Sequence, residues 1–353
     1  MNLRKLFTLI SMSRLQCSLV LITIFAALTP VRSDPFGSGI NTFQIDFVNI
    51  GNSGNAPQSP TNRSHSLSGG DGYGSVLYQY RISTHEISQE QIDRAKASGL
   101  SNVLAGRYLG SQPAGQISWY GAAAFVNWLN ESTGRPAAYD LVFNNGIWSM
   151  RLWSSAVAWQ EGGINLFRHK DAHYFLPSEN EWYKAAYYNP AGFNYFLYPT
   201  GSDTAPIAVM NGTTTNTAVY DHATNLPAAV TNVGGLSPYG TMGQGGNSYE
   251  VVETAYDGVN NSASEVRTMR GGDYENSQTA LRSSYRTDTQ PSVRESVAGF
   301  RVASVLSGPV AVLTVEKTTN LSGQWQFDRE INFGPMTNTN EFYRLKIHTV
   351  EVE

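Results

Sequence analysis

From residue 189 to residue 267 the sequence shows no run with helical periodicity, and Gly, Asn, Thr and Tyr dominate it. Irregular stretches of that length are uncommon in a compact domain unless they are functional, because their backbone groups must all find partners. A chain that carries one has to pin it with a dense polar network or with bound ions. Charged residues make up only 15% of the sequence, whereas there are 33 Gly, 19 Tyr and 7 Trp. Long surface helices would need more Glu, Lys and Arg, so the composition reads as a loop-rich fold with few helices.

Three helices are nevertheless well marked. Ser88 and Gln91 form a capping box, with Ile87 and Ile92 placed to staple across it, and the helix runs to about Ala97 and stops at Gly99. A second opens at Ser118 and carries Ala122, Phe125, Val126 and Leu129 as one apolar stripe, ending near Thr133-Gly134. A third opens at Ser178 with Glu181 completing another box, buries Trp182, Ala185 and Ala186, and ends before Pro190. Residues 43–50 and 76–82 read as strands, and short strands are expected around Gly271-Gly272.

The first 33 residues have the layout of a secretory leader. Arg4, Lys5 and Arg14 precede the apolar run 17–28, and Val31-Arg32-Ser33 offers small residues for cleavage. Twelve apolar residues are short for a membrane span, which takes about 20. The expected division is a signal peptide at 1–33, a linker at 34–42, a main domain at 43–306 and a small β appendage at 307–353. Cleavage removes Arg4, Lys5, Arg14 and Arg32 and no acid, so the net charge moves from -4 to -8. That balance excludes nucleic acid as a partner. The only cysteine, Cys17, leaves with the leader. A secreted, periplasmic or cell-envelope location in a bacterium follows as the expectation, with no membrane span after cleavage.

Seven short segments in order carry a resemblance. They are Glu86-Ile87-Ser88, Ile117-Ser118-Trp119, Phe175-Leu176-Pro177-Ser178-Glu179-Asn180-Glu181-Trp182, Tyr198-Pro199-Thr200-Gly201, Gly246-Asn247-Ser248-Tyr249-Glu250, Arg270-Gly271-Gly272-Asp273-Tyr274 and Gly299-Phe300-Arg301. Together they resemble the sulfatase-modifying-factor domain of formylglycine-generating enzymes. The resemblance implies an α+β, C-type-lectin-like fold with little regular secondary structure. It also implies bound calcium, with Asn247 and Glu250 as side-chain ligands and the carbonyls of Gly245 and Ser248 completing the set. Oxygen donors of this mixed kind are what Ca2+ takes. A second calcium is implied at Asn211 and Asp221. The alternative for Asn247 and Glu250 is a turn cap and a partner for an arginine.

The family's oxidase chemistry uses two cysteines shortly after the Arg-Gly-Gly motif to bind Cu(I). Here that stretch reads Glu275-Asn276-Ser277-Gln278-Thr279-Ala280 and holds no thiol. Asn276 and Gln278 cannot replace soft thiolates. Residues 139–168 look like an insertion relative to the family. Asp273, Arg282 and Arg286 are candidates to line whatever pocket replaces the copper site, or else they brace the fold as Arg–carboxylate pairs. His169 and His173, spaced i, i+4, would suit a metal only if they lay on a helix. The tyrosines around residues 187–198 read as core packing, with a sugar- or peptide-binding surface as the alternative.

The expected function is a secreted, calcium-stabilised binding or scaffold module, a pseudoenzyme whose ligand is an extracellular glycan or protein. The alternatives are an enzyme of the same family with divergent chemistry acting on exported sulfatases or peptides, and a structural envelope protein.

Overall fold

A computed structural model describes residues 32–58 and 72–306, and beyond them the strands Val310–Lys317, Gln326–Pro335 and Ile347–Thr349. The expected leader, with Cys17, lies outside the described residues apart from Arg32 and Ser33. The chain divides into two units, the larger spanning Thr29–Leu306.

The main sheet starts earlier than the sequence reading placed it. Residues 34–42 do not form a linker: β1 (Arg32–Phe36) pairs antiparallel with β2 (Phe43–Ile50), placing Asp34 opposite Ile45 and Phe36 opposite Phe43. A short turn of 3-10 helix at Gly39–Asn41 joins them. Alternation explains the strand, because Asp34 and Phe36 point inward while their neighbours are exposed. Pro35 is tolerated because β1 is an edge strand and needs no second ladder bond. β2 pairs with β3 (Tyr80–Ser83), which pairs with Ala303–Val305, which pairs with Tyr174–Phe175, every pairing antiparallel.

Three helices pack around this sheet, each where its local signals put it. Helix α1 (Gln89–Ala97) has the complete Ser88–Gln91 capping box. Helix α2 (Trp119–Ser132) is capped by Ser118 and buries Ala122, Phe125, Val126 and Leu129 completely. Helix α3 (Glu179–Tyr187) has the Ser178–Glu181 box. The core joins β1, β2, β3, α2 and the strands near Phe300 through Phe43, Phe47, Trp119, Phe125, Phe167 and Phe300.

A second sheet holds Thr287–Thr289, Arg267–Arg270, Tyr249–Ala255 and Ala298–Gly299 in that order, the last pair parallel. Between α3 and Tyr249 the described chain is turns and two-residue strands, as the composition implied. The tyrosines near α3 are core: Tyr183, Tyr187, Tyr188 and Tyr195 pack with Trp182 and Val252. The smaller unit contains a three-stranded sheet with Val310–Lys317 between Gln326–Pro335 and Ile347–Thr349. These strands are the described part of the β appendage expected at 307–353.

Candidate functional site

The loop leading into Tyr249–Ala255 is folded by glycine. At Gly246, φ is +84° and a Cβ would collide with the carbonyl of Val219, so only glycine fits. The turn continues through Asn247, itself left-handed at φ +63°. Asn247 Nδ2 donates to Glu86 Oε2 at 2.6 Å, and its Oδ1 accepts from the Ala228 N–H at 2.8 Å. Glu250 is fully buried. Its Oε2 accepts from Trp182 Nε1 (2.7 Å) and Arg301 Nε (2.6 Å), and its Oε1 accepts from Arg301 Nη2 (2.7 Å). The same guanidinium donates to the carbonyls of Ser83 (2.8 Å), Thr84 (3.3 Å) and Met242 (2.9 Å).

The set expected to hold calcium therefore does not fit it. Both side chains are spent elsewhere, Asn247 turns toward Glu86 instead of Glu250, and a guanidinium already sits among the oxygens. A cation placed beside Arg301 would be repelled by it. Gly245 lies against Pro199 and Leu281, and Ser248 Oγ donates to the carbonyl of Val297. Asn211 and Asp221 are both exposed, and no hydrogen bond or ion pair joins them. The Asp221 N–H instead donates to the carbonyl of Asn276 at 2.7 Å. Among the described residues no group of three or more His, Cys, Asp or Glu side chains is placed to hold a metal ion. His169 ends the strand Asn165–His169 and His173 follows a turn, so the two do not share a helix face.

The residues expected to line a replacement pocket are also separated. Asp273 is buried, and its Oδ1 accepts from the backbone N–H of Glu275 (2.8 Å) and Asn276 (3.1 Å), closing its own turn. Burial pushes its carboxyl above the ordinary value, against those N–H groups. Gln278 opens a short 3-10 turn and is exposed. Arg282 Nε donates to Tyr198 Oη at 3.1 Å. Arg286 faces another way: it clamps both oxygens of Glu179 (3.0 and 2.8 Å), donates to the carbonyl of Tyr256, and stacks at 4.1 Å on the Tyr256 ring. Arg270 reaches Glu179 as well, at 2.6 Å. Bracing by Arg–carboxylate pairs is thus what Arg286 does.

Sequence reasoning missed the densest ionic centre. Arg168, fully buried, donates from Nε and Nη2 to Glu253 (2.8 and 2.7 Å) and from Nη1 and Nη2 to Glu181 (3.0 and 2.9 Å). Tyr78 and Tyr139 hydroxyls donate to Glu181 (2.7 Å) and Glu253 (2.9 Å). Glu181 Oε2 also accepts from the Ser178 N–H at 2.6 Å, so the capping-box residue serves the helix and the ion cluster at once. Two carboxylates sharing one cation do not ionise alike. Burial works against charge on Glu181, but Arg168 and the Ser178 N–H outweigh it and hold the carboxyl below its ordinary value. Burial wins at Glu253, which is pushed up despite Arg168.

Above this cluster lies a cleft of about 440 Å³. Its walls are residues 75–78, the loop 159–165 within the expected insertion, and residues 254–260. A second cavity of about 360 Å³ lies beside α1, between β2 and residues 83–88.

The sulfatase-modifying factor enzyme 1-like domain matches residues 72–306 of the chain. Among curated proteins none matches. Among solved structures, the Treponema denticola variable protein 1 is similar at a TM-score of 0.53 and 20% identity, over 78% of this chain and 100% of its own. CarF is similar at a TM-score of 0.51 and 19% identity, over 74% of this chain and 99% of its own. Likeness at that identity speaks for the fold.

Proposed function

Because the chain belongs to the sulfatase-modifying factor enzyme 1-like domain family, with its C-type-lectin-like α+β fold, we propose that it acts as an exported binding or scaffold module that keeps this fold without copper oxidase chemistry. The observation that carries the reading is the lack of a thiol anywhere in the matched domain: Cys17 is the only cysteine in the sequence. Cu(I) selects soft thiolate ligands, and the amides of Asn276 and Gln278 are hard donors. The charged side chains of the same region support it too, because Asp273 closes a turn and Arg286 serves Glu179.

Calcium at Glu250 is not part of this proposal. Arg301 supplies a permanent positive charge to the buried carboxylate and to three carbonyls, which is the service a calcium ion would have rendered. Export is supported by the basic, apolar and small-residue order of the first 33 residues. The ligand in this reading is an extracellular protein or glycan.

The test is a conversion assay. The purified chain is incubated with cysteine-containing peptides, copper and oxygen, and the peptides are weighed by mass spectrometry. No conversion of thiol to aldehyde is expected. Aldehyde formation above a no-protein control would overturn the proposal.

A further inference from the structure

Among the described residues Asn is followed by Gly at Asn145-Gly146 and at Asn211-Gly212, and the fold holds the two pairs differently. An asparagine before glycine is open to cyclisation, because glycine has no Cβ to shield the backbone nitrogen that the side-chain amide carbon faces. Asn145 and Gly146 are the whole loop between the strands Asp140–Asn144 and Ile147–Arg151, since Asn144 pairs with Ile147. Both are left-handed, at φ +50° and +81°, as a two-residue type I′ hairpin turn requires. Asn145 is exposed and its side chain has no hydrogen-bond partner among the described residues. The Gly146 N–H is likewise unbonded, and the space beside its Cα is open. The ribbon is two-stranded and joins no larger sheet. Such ribbons are marginal on their own, so little holds the turn shut.

Asn211-Gly212 is the internal comparison. Asn211 is exposed too, but Gly212 is held from both sides. Its N–H donates to the carbonyl of Asn232 at 3.0 Å, and its own carbonyl accepts from the Gly234 N–H at 2.8 Å. A nitrogen whose proton is shared with a carbonyl is not free to lose it, nor to turn toward the side chain before it. The same dipeptide is therefore blocked at one place and free at the other.

We infer that Asn145 is a site of spontaneous covalent modification, cyclising onto Gly146 and reopening as aspartate and isoaspartate. Solvent base takes the Gly146 amide proton and the nitrogen attacks Asn145 Cγ. The N–Cγ bond forms, the Cγ–Nδ2 bond breaks, and ammonia leaves with a proton. Water then opens the imide ring. Attack at Cγ breaks the new bond and leaves aspartate. Attack at the main-chain carbonyl carbon breaks the original peptide bond and leaves a chain that runs through the side chain. Ammonia leaves and water enters, with no oxidation or reduction. Both products place a negative charge at the tip of the ribbon. Isoaspartate also lengthens the backbone by a methylene inside the turn that sets the register. The contact it strains is the bond from Trp148 Nε1 to the carbonyl of Asn102, at 3.0 Å, which ties the ribbon to the domain.

The experiment is peptide mapping by mass spectrometry after the purified chain has been incubated in 18O-labelled water at neutral pH and at pH 9. The peptide holding Asn145 is expected to gain the mass of an NH2 replaced by a labelled OH, to elute as two products, and to convert faster at pH 9. Asn145 should convert roughly tenfold or more faster than Asn211, because the hydrogen bond on Gly212 has to open first. In urea the two pairs should convert at similar rates, which places the difference in the fold. Asn145→Gln should end the mass gain in that peptide. Three results would each overturn the inference. One is no conversion at Asn145 over a period in which the urea-unfolded chain converts at both pairs. Another is equal rates at Asn145 and Asn211 in the folded chain. The third is a mass gain that persists in Asn145→Gln and so belongs to Asn144.

Discussion

Arg301 grips both carboxylate oxygens of Glu250, at 2.6 and 2.7 Å, across 51 residues of sequence. The pair is buried and joined by Trp182 Nε1. Breaking a buried pair by removing one partner costs about 3–5 kcal/mol, because the other charge is stranded.

The first prediction concerns that pair. Arg301→Leu should lose about 3–5 kcal/mol of unfolding free energy in urea, or fail to fold. The wild-type chain should show the same thermal midpoint in millimolar calcium and in EDTA. If calcium raises the midpoint and Glu250→Gln abolishes the rise, the ion binds at Glu250 after all and Arg301 is not its substitute.

A second prediction separates the two carboxylates of Arg168. Glu181, held low, contributes stability that is present at neutral pH and lost as pH falls through its folded value. Glu253, pushed up, has the opposite sign: its contribution is present at low pH and lost as pH rises through its raised folded value. At pH 7, Glu181→Gln should therefore destabilise clearly more than Glu253→Gln. Arg168→Met should be worse than either, by about 3–5 kcal/mol, since it strands two buried carboxylates. Urea midpoints of the three variants check the order, and equal costs for the two Gln variants would refute the assignment.

How much of this could be read from the sequence follows from the range of each interaction. The caps of α1 and α3 are contacts between residues three apart, so Ser88–Gln91 and Ser178–Glu181 were visible before any fold was known. The seven ordered motifs carried the fold class through their resemblance to the family, and each is short enough to be read locally. The partnership of Arg168 with Glu253 spans 85 residues and leaves no local trace. β1 was hidden because Pro35 and a single inward Phe36 make too short an alternation to stand out. The oxygen donors around Glu250 are a different case. Sequence can show that oxygen donors converge on a cation, but not that the cation is a guanidinium arriving from residue 301.

A third prediction follows from Lys184 in α3. Its side chain is buried, Nζ donates to the carbonyl of Asn52 at 2.9 Å, and no carboxylate is bonded to it. Burial lowers its pKa to about 7. The unfolded chain keeps its lysine protonated up to about pH 10.4. Between those values the unfolded state holds the extra proton, so stability gains from this group as pH rises from 7 and carries its full penalty below. Lys184→Met should thus stabilise the protein at pH 6, and the advantage should shrink steadily toward pH 9. An advantage independent of pH would show that Lys184 is solvated and charged in the folded state.

The fourth prediction concerns how much of the N-terminal segment the fold needs. Asp34 accepts from both terminal nitrogens of Arg81, at 3.1 and 2.6 Å, and from the Tyr174 hydroxyl at 2.9 Å. Arg81 is buried on β3 and has this carboxylate as its bonded acid. Burial opposes charge on Asp34, yet Arg81 outweighs it and keeps the carboxyl below its ordinary value. Cleavage before Asp34 preserves the pair and the pairing of Phe36 with Phe43. Cleavage only three residues later would remove β1 and strand the Arg81 guanidinium in the sheet. A chain beginning at Asp34 should match the thermal midpoint of one beginning at Arg32. A chain beginning at Gly37 should lose about 3–5 kcal/mol from the stranded charge alone, and Asp34→Asn should fall between them. Equal stability of the Asp34 and Gly37 forms would mean that β1 is dispensable and that the fold starts at Phe43.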